Sequence, residues 1–228
     1  MSEEVAAAEK SPNAWGQAVA ALVLIGGLGG GLWVMQQHDA GRTDPDAPAT
    51  CSTDEDAEPS ERISGAQLCT ALNRADLPVL LGTPGEHAKT AHGGDGSVKT
   101  ANGTETATPE ATVTFGTYTV QLSRSYDDLP VAGTEHLLNS AEKKTVLGRP
   151  AVLYSSPTIA IRFSLGGGES ETGPGGTARS LLIAPDPKDS GGSYELAIWR
   201  QDTLLPDDAA LLRVAEKVLP TVPGWTTG

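Results

Sequence analysis

The tightest concentration of reactive side chains in the chain is Asp189-Ser190-Gly191-Gly192, a hydroxyl set between a carboxylate and two glycines. A serine there becomes a nucleophile only with a base to take its proton, an acid to orient that base and amide donors for the oxyanion. His92 in "KTAHGG" is the candidate base, and Asp186 and Asp189 form an acidic pair next to the serine. The same pair, or Glu169 and Glu171, offers oxygens to a hard cation. The four histidines, His38, His87, His92 and His136, are the candidate nitrogen ligands.

Asp189-Ser190-Gly191-Gly192 resembles the tetrapeptide around the nucleophile of trypsin-like serine proteases. That resemblance implies two β-barrels, and residues 64–228 hold too few strands for them. Lys188 stands where those enzymes have glycine, and no convincing strand precedes His92. "PDPKDSGG" is instead read as a tight connection between Ile183 and Tyr194, because Asp, Ser and Gly favour turns.

Metal chemistry finds no better pattern. The histidines are dispersed, and the EF-hand order of acids, glycine and final glutamate is absent. Gly166 to Gly176 is followed by no Gly-Lys-Ser/Thr and no helix, so it is read as a hairpin loop and not a phosphate cradle. Asn102-Gly103-Thr104 has the form of a glycosylation acceptor. No catalytic, metal or cofactor residue is assigned, and the chain is expected not to be an enzyme.

The net charge of −13 excludes a nucleic-acid role, which needs clustered Lys and Arg. Hydrophobic residues make up 38% and only two are Phe, so the core must rest on Leu, Val, Ile and Ala. Tyr126, Tyr154, Tyr194 and Trp199 are expected to enlarge it rather than line a partner surface, with Trp225 as its lid.

Ala18 to Met35, "AVAALVLIGGLGGGLWVM", carries no charge over 18 residues, with Trp15 just before it and Trp33 near its end. It predicts a transmembrane helix over residues 14–35, after a short cytoplasmic tail, 1–13. The residues that follow lack a small-x-small cleavage site, and Cys51 is too far away for a lipoprotein cysteine. Cys51 and Cys69 lie beyond the helix, and a disulfide between them suits an exterior domain. The expected location is the cell membrane, single-pass, with the C-terminal domain outside. Gly26 with Gly30, and Gly27 with Gly31, form two G-x-x-x-G pairs that permit close helix packing, hence self-association.

Residues 36–63 are acidic and proline-punctuated, and are read as a disordered linker. The domain, 64–228, opens at Ser64 with Gln67 in capping-box spacing. Two short helices, or one kinked helix, end at Gly82. Residues 83–110 are read as turn-rich, with at most short strands near Ser97 to Thr100 and Glu105 to Thr108. Hairpins follow about Gly116-Thr117, as a type II′ turn, and about Gly148-Arg149. Ile159 to Leu165 alternates as a half-buried strand, and Thr177 to Ala184 and Ser193 to Arg200 follow. Asp207 and Asp208 open a last amphipathic helix, stopped by Pro220. The class is α+β, an antiparallel sheet bracketed by helices.

The stretches "LCTALNRADLPVLLGTPGE", "VLGRPAVLYSSPTIAIRF", "DPKDSGGSYELAIWR" and "PDDAALLRVAEKVLPTVPGW" resemble an uncharacterised family of actinobacterial, Streptomyces-type, single-pass membrane proteins. The order of elements is also distantly similar to envelope lipoproteins with a PsbP-like sandwich, which implies that fold and export. Neither resemblance carries an activity. The expected function is an exterior domain binding an envelope protein or a small ligand through its sheet or loops. The alternatives are a hydrolase with a nonstandard site at Ser190, or a structural oligomerising module.

Overall fold

The computed structural model describes residues 47–53, 62–99, 103–162 and 171–225. The helix expected over 14–35, the packing glycines Gly26, Gly27, Gly30 and Gly31 on it, the tail and His38 all lie outside the described residues. Among the described residues no helix is long and apolar enough to cross a membrane.

The domain is α+β. Its strands are β1 (Cys51–Thr53), β2 (Thr90–Lys99), β3 (Glu105–Thr114), β4 (Tyr118–Ser125), β5 (Glu142–Val146), β6 (Arg149–Arg162), β7 (Glu171–Ile183) and β8 (Ser193–Arg200). They form one sheet in the order β1-β2-β3-β4-β8-β7-β6-β5. Helices α1 (Gly65–Leu72), α2 (Leu77–Leu81) and α3 (Asp208–Val218) complete it. Every described pair is antiparallel except β1 with β2, so the sheet is mixed where an antiparallel one was expected.

The local signals that set helix ends hold. Ser64 and Gln67 make the reciprocal capping box at α1. Gly82 ends α2 in the left-handed conformation at φ 83°, and Asp207 caps α3 through the Ala209 amide. The apolar stripes of α1 and α3 bury Leu68, Leu72, Leu211 and Val218 against Val120 and Ile198 on one sheet face. Trp225 packs against this core from its margin, as expected.

Four readings are corrected. The segment 83–110 contains the ten-residue strand β2 and the first part, 105–110, of the ten-residue strand β3. Its glycines are there for close approach: a Cβ on Gly93 would lie 2.1 Å from the Gly65 oxygen, so α1 rests directly on the strand. The two strands expected around 150–154 and 159–165 are one strand, β6, with a register shift between Pro157 and Ile159. The hairpin loop expected over Gly166 to Gly176 is shorter, because β7 begins at Glu171; a Cβ on Gly175 would meet Thr158 Oγ1 at 2.4 Å. Finally, Gly116 lacks the positive φ of a type II′ turn. Glu86 holds that turn instead, accepting from the Thr117 amide at 3.1 Å and its hydroxyl at 2.5 Å.

Within the stretch read as a linker, Cys51–Thr53 pairs with β2. Cys51 is bridged to Cys69 on α1, across a sequence separation of 18, as expected. In the chain-entropy picture such a loop contributes about 3 kcal/mol.

Candidate functional site

Side chains alternate between the two faces of a strand, so the register tells which groups share a face. Helices α1 and α3 take the face of Val113, Val120, Leu196 and Leu181. The opposite face is crossed by two adjacent rows. One runs Thr112, Gln121, Ala197, Ser180, Tyr154, and the other Glu110, Ser123, Glu195, Leu182, Val152. Glu110 and Glu195 thus flank Ser123 two strands apart, with Cα atoms about 10 Å from each other.

These rows bring carboxylates into a poorly hydrated place. Gln121 Nε2 donates to Glu110 Oε2 at 2.8 Å, and the Tyr154 hydroxyl donates to Glu195 Oε1 at 2.5 Å. Burial pushes the Glu110 carboxyl up to about 7, against the Gln121 hydrogen bond, and the nearby Glu195 charge adds to the rise. Burial likewise raises Glu195, opposed by Tyr154, and raises the Tyr154 phenol. No described cation pairs with either glutamate. Ser180, fully buried beside Tyr154 and Glu195, opposes the rise of both through its hydroxyl.

One end of this face is covered. Val131, with Leu138 and Ala141, packs on Val152, Ala184 and Leu182. The covering loop is held by Asp189, whose carboxylate accepts from the Val131 and Ala132 amides at 2.8 and 2.7 Å. Gly191 and Gly192 take φ of 112° and 71° and press on Asp128 and on Arg124 with Ser125. The glycines therefore serve a turn, as read, and the turn also fastens a neighbouring loop.

Ser190 is exposed and gives its hydroxyl proton to Asp186 Oδ2 at 2.8 Å. No described histidine bonds to it. His92 is on β2 beside Ser52, 3.4 Å from its Oγ, while His136 pairs with Glu135 in an exposed turn. His87 is half-buried in the connection before β2. Among the described residues no three His, Cys, Asp or Glu side chains converge as a metal site. Glu169 and Asn102, and the Glu171 side chain, lie outside the described residues.

The helix-bearing face carries a second assembly at its margin. Arg62 lies over Tyr126 at 5.2 Å, and Arg124 over Tyr126 and Tyr194 at 4.6 and 4.9 Å. Tyr194 meets Trp225 at 5.4 Å, and Arg149 lies 3.5 Å from the Trp225 ring centre. Arg124 donates to the carbonyls of Ser125 and Ser193, and Arg149 to that of Pro185. Tyr194 belongs to the core as expected, but Tyr126 is a rung of this stack and Tyr154 serves the acidic row. Trp199 is half-buried on the helix-free face opposite Thr119.

Glu195 was within reach of the sequence: "SYELAIWR" alternates, and its parity puts Glu195 opposite Leu196 and Ile198. Glu110 was not, because its segment was read as irregular. A shallow groove elsewhere, lined by Ala66, Thr70, Arg74 and Pro223, is dominated by an Arg74 already bonded to Asp76 and the Lys217 carbonyl.

Residues 9–141 match the family of unknown function DUF6215, and the chain belongs to that family. No curated protein and no solved structure matches the chain.

Proposed function

We propose that this member of the DUF6215 family is a membrane-anchored exterior binding domain, not an enzyme, which takes a small ligand on the helix-free face of its sheet. The observation that carries this reading is the partly open polar floor of Glu110, Gln121 and Glu195 on strands β3, β4 and β8. Both backbone edges of these interior strands are hydrogen-bonded to neighbours. Their residual exposure therefore belongs to that face, where a ligand replaces water and meets hydrogen-bonding groups set on rigid elements. A fragment screen on the full chain in a non-ionic detergent, read by amide shifts, tests it. Saturable shifts are expected to cluster at Ser123, Ala197 and Ser180; hits confined to the helix side would refute it.

Ser190 gives the hydrolase reading little support, since its proton is directed at a carboxylate in an exposed turn. Anchoring rests on the uncharged run between Trp15 and Trp33. Protease added to intact cells should remove the C-terminal domain, and a mature chain starting after Met35 would count against the anchor.

A further inference from the structure

We propose that the domain pairs with a second copy of itself through the outer edge of β2, strand against antiparallel strand, about a two-fold axis at Ser97. This goes beyond the ligand-binding reading and uses a different surface.

The edge is open over a defined window. β1 covers β2 only at Ala91, His92 and Gly93, and beyond them Asp95, Gly96, Ser97 and Lys99 are exposed. Among the described residues no strand but β1 lies on that side, and no backbone-to-backbone bond reaches residues 94–99 from outside β3. The neighbouring turn tells which way the backbone points. The Phe115 amide donates to the Tyr118 carbonyl across the β3–β4 turn, so Phe115 faces β4. Backbone direction alternates along a strand, hence Thr114, Thr112 and Glu110 face β2, where Thr90, His92 and Gly94 answer them, followed by Gly96 and Val98. The N–H and C=O of Asp95, Ser97 and Lys99 therefore point out of the sheet, a template for another strand.

Charge complementarity selects a second copy as the occupant. The outward residues are centred on Ser97, so a two-fold axis sets Ser97 against the partner's Ser97 and Asp95 against the partner's Lys99, on both sides of the axis. These are hydrogen-bonding positions, giving about six backbone bonds, and opposite charges directly across a ladder favour the pairing. Asp95 Oδ1 accepts from the Gly65 amide at 2.6 Å, which leaves its other oxygen for the ammonium. Lys99 makes no ion pair among the described residues, and Glu105 opposite it on β3 accepts from the Ser97 hydroxyl at 2.5 Å. β1 fixes the register, because sliding the partner toward the start of β2 would bring it onto Gly93, already taken by Thr53. The far edge of the sheet is built against such pairing: a two-fold axis at the middle of β5 would set Lys144 against the partner's Lys144. The contact is small, so the dimer is weak, and the charges set its register more than its strength.

The test uses the full chain in a non-ionic detergent. Both native cysteines are bridged to each other, so Ser97→Cys supplies the one free thiol. A short bismaleimide should join two copies there, since facing Cα atoms at such a pair lie about 5.5 Å apart. Leu205→Cys, at an exposed leucine off this edge, should stay uncoupled. Adding Lys99→Glu to Ser97→Cys should cut the coupled yield roughly tenfold, while Lys99→Arg, which keeps the charge, should leave it unchanged. Hydrogen exchange at the Asp95, Ser97 and Lys99 amides should slow as protein concentration rises. Ser97→Pro removes an outward N–H and leaves the β3 ladder intact, so it should abolish that slowing at unchanged thermal stability. Coupling that is equal at positions 97 and 205, or indifferent to Lys99→Glu, would place self-association on another surface and overturn the proposal. Exchange at Ser97 that is slow at every concentration would mean that one chain covers its own edge, which overturns it as well.

Discussion

Two assemblies in this domain place ionisable groups where water is scarce, one on each side of the sheet, and they solve the problem in opposite ways. Along the margin of the helix-bearing face, Arg62, Arg124 and Arg149 lie on the rings of Tyr126, Tyr194 and Trp225. A guanidinium does not give up its proton in a protein, so its charge must be met by π faces and carbonyls wherever it is buried. On the helix-free face, Glu110 and Glu195 are met only by neutral donors. A carboxylate has another exit, since it takes a proton, and both carboxyls are shifted toward doing so. The first assembly is therefore a permanent fastening and the second is responsive. The fastening also joins the entry to the domain at Arg62 to its far end at Trp225.

The largest expected effect tests the permanent side. Arg149 is 1% exposed, and Arg149→Ala removes its stem, its stack on Trp225 and its bond to the Pro185 carbonyl. A loss of about 3–5 kcal/mol in urea denaturation is expected. A loss under about 1 kcal/mol would mean that the stack is ornamental and would break the contrast.

Next in size is a pH effect from the responsive side. Glu110 is raised from 4.5 to about 7, so the folded state holds its proton more tightly than the unfolded chain. The associated stability is fully present below about 4.5 and is lost as pH rises through about 7. Glu195 acts in the same direction. Stability should then increase by up to about 3 kcal/mol as pH falls from about 7.5 to 5. The carboxyls held low by surface partners, Asp76 and Asp202, lose their contribution only at more acid pH. Denaturation midpoints against pH give the slope, and Glu110→Gln should flatten it; an unchanged slope in that variant would assign the effect elsewhere.

Trp225→Ala comes third, at about 2 kcal/mol, since it removes the ring contacts to Tyr194 and Arg149 at the edge of the core. Unlike the acidic row, this loss should be the same at pH 5 and pH 7. The smallest effect is Tyr154→Phe, about 1 kcal/mol at neutral pH, from the donor withdrawn from Glu195. Because a protonated Glu195 needs that donor less, the cost should shrink on acidification, and growth of the cost would reverse the account.

Much of the domain is legible without coordinates because the signals are local. Ser64 with Gln67, Gly82 and Asp207 mark helix ends through groups within a few residues of one another. The parity of "SYELAIWR" assigns faces, and the alternation around Val113 and Val120 predicts its hairpin. The glycines of Asp189-Ser190-Gly191-Gly192 read correctly as turn residues. What failed was β2, where "TAHGGDGSVK" has almost none of the bulky residues that favour strands. Gly93 there is set by the backbone of α1 at Gly65, 28 residues earlier in sequence (93 − 65), and Gly96 by that of Thr108 on β3.

The sequence by itself determined the caps, most strand faces, the pairing of the only two cysteines and the acidic net charge, since each depends on neighbours along the chain or on totals. Only the tertiary structure decided that Glu110 and Glu195 share one row and that Arg62 and Trp225 end up in one stack. The reason is the register: side chains brought together across strands or from opposite ends of the domain are selected by where the strands align, and no local pattern encodes that alignment.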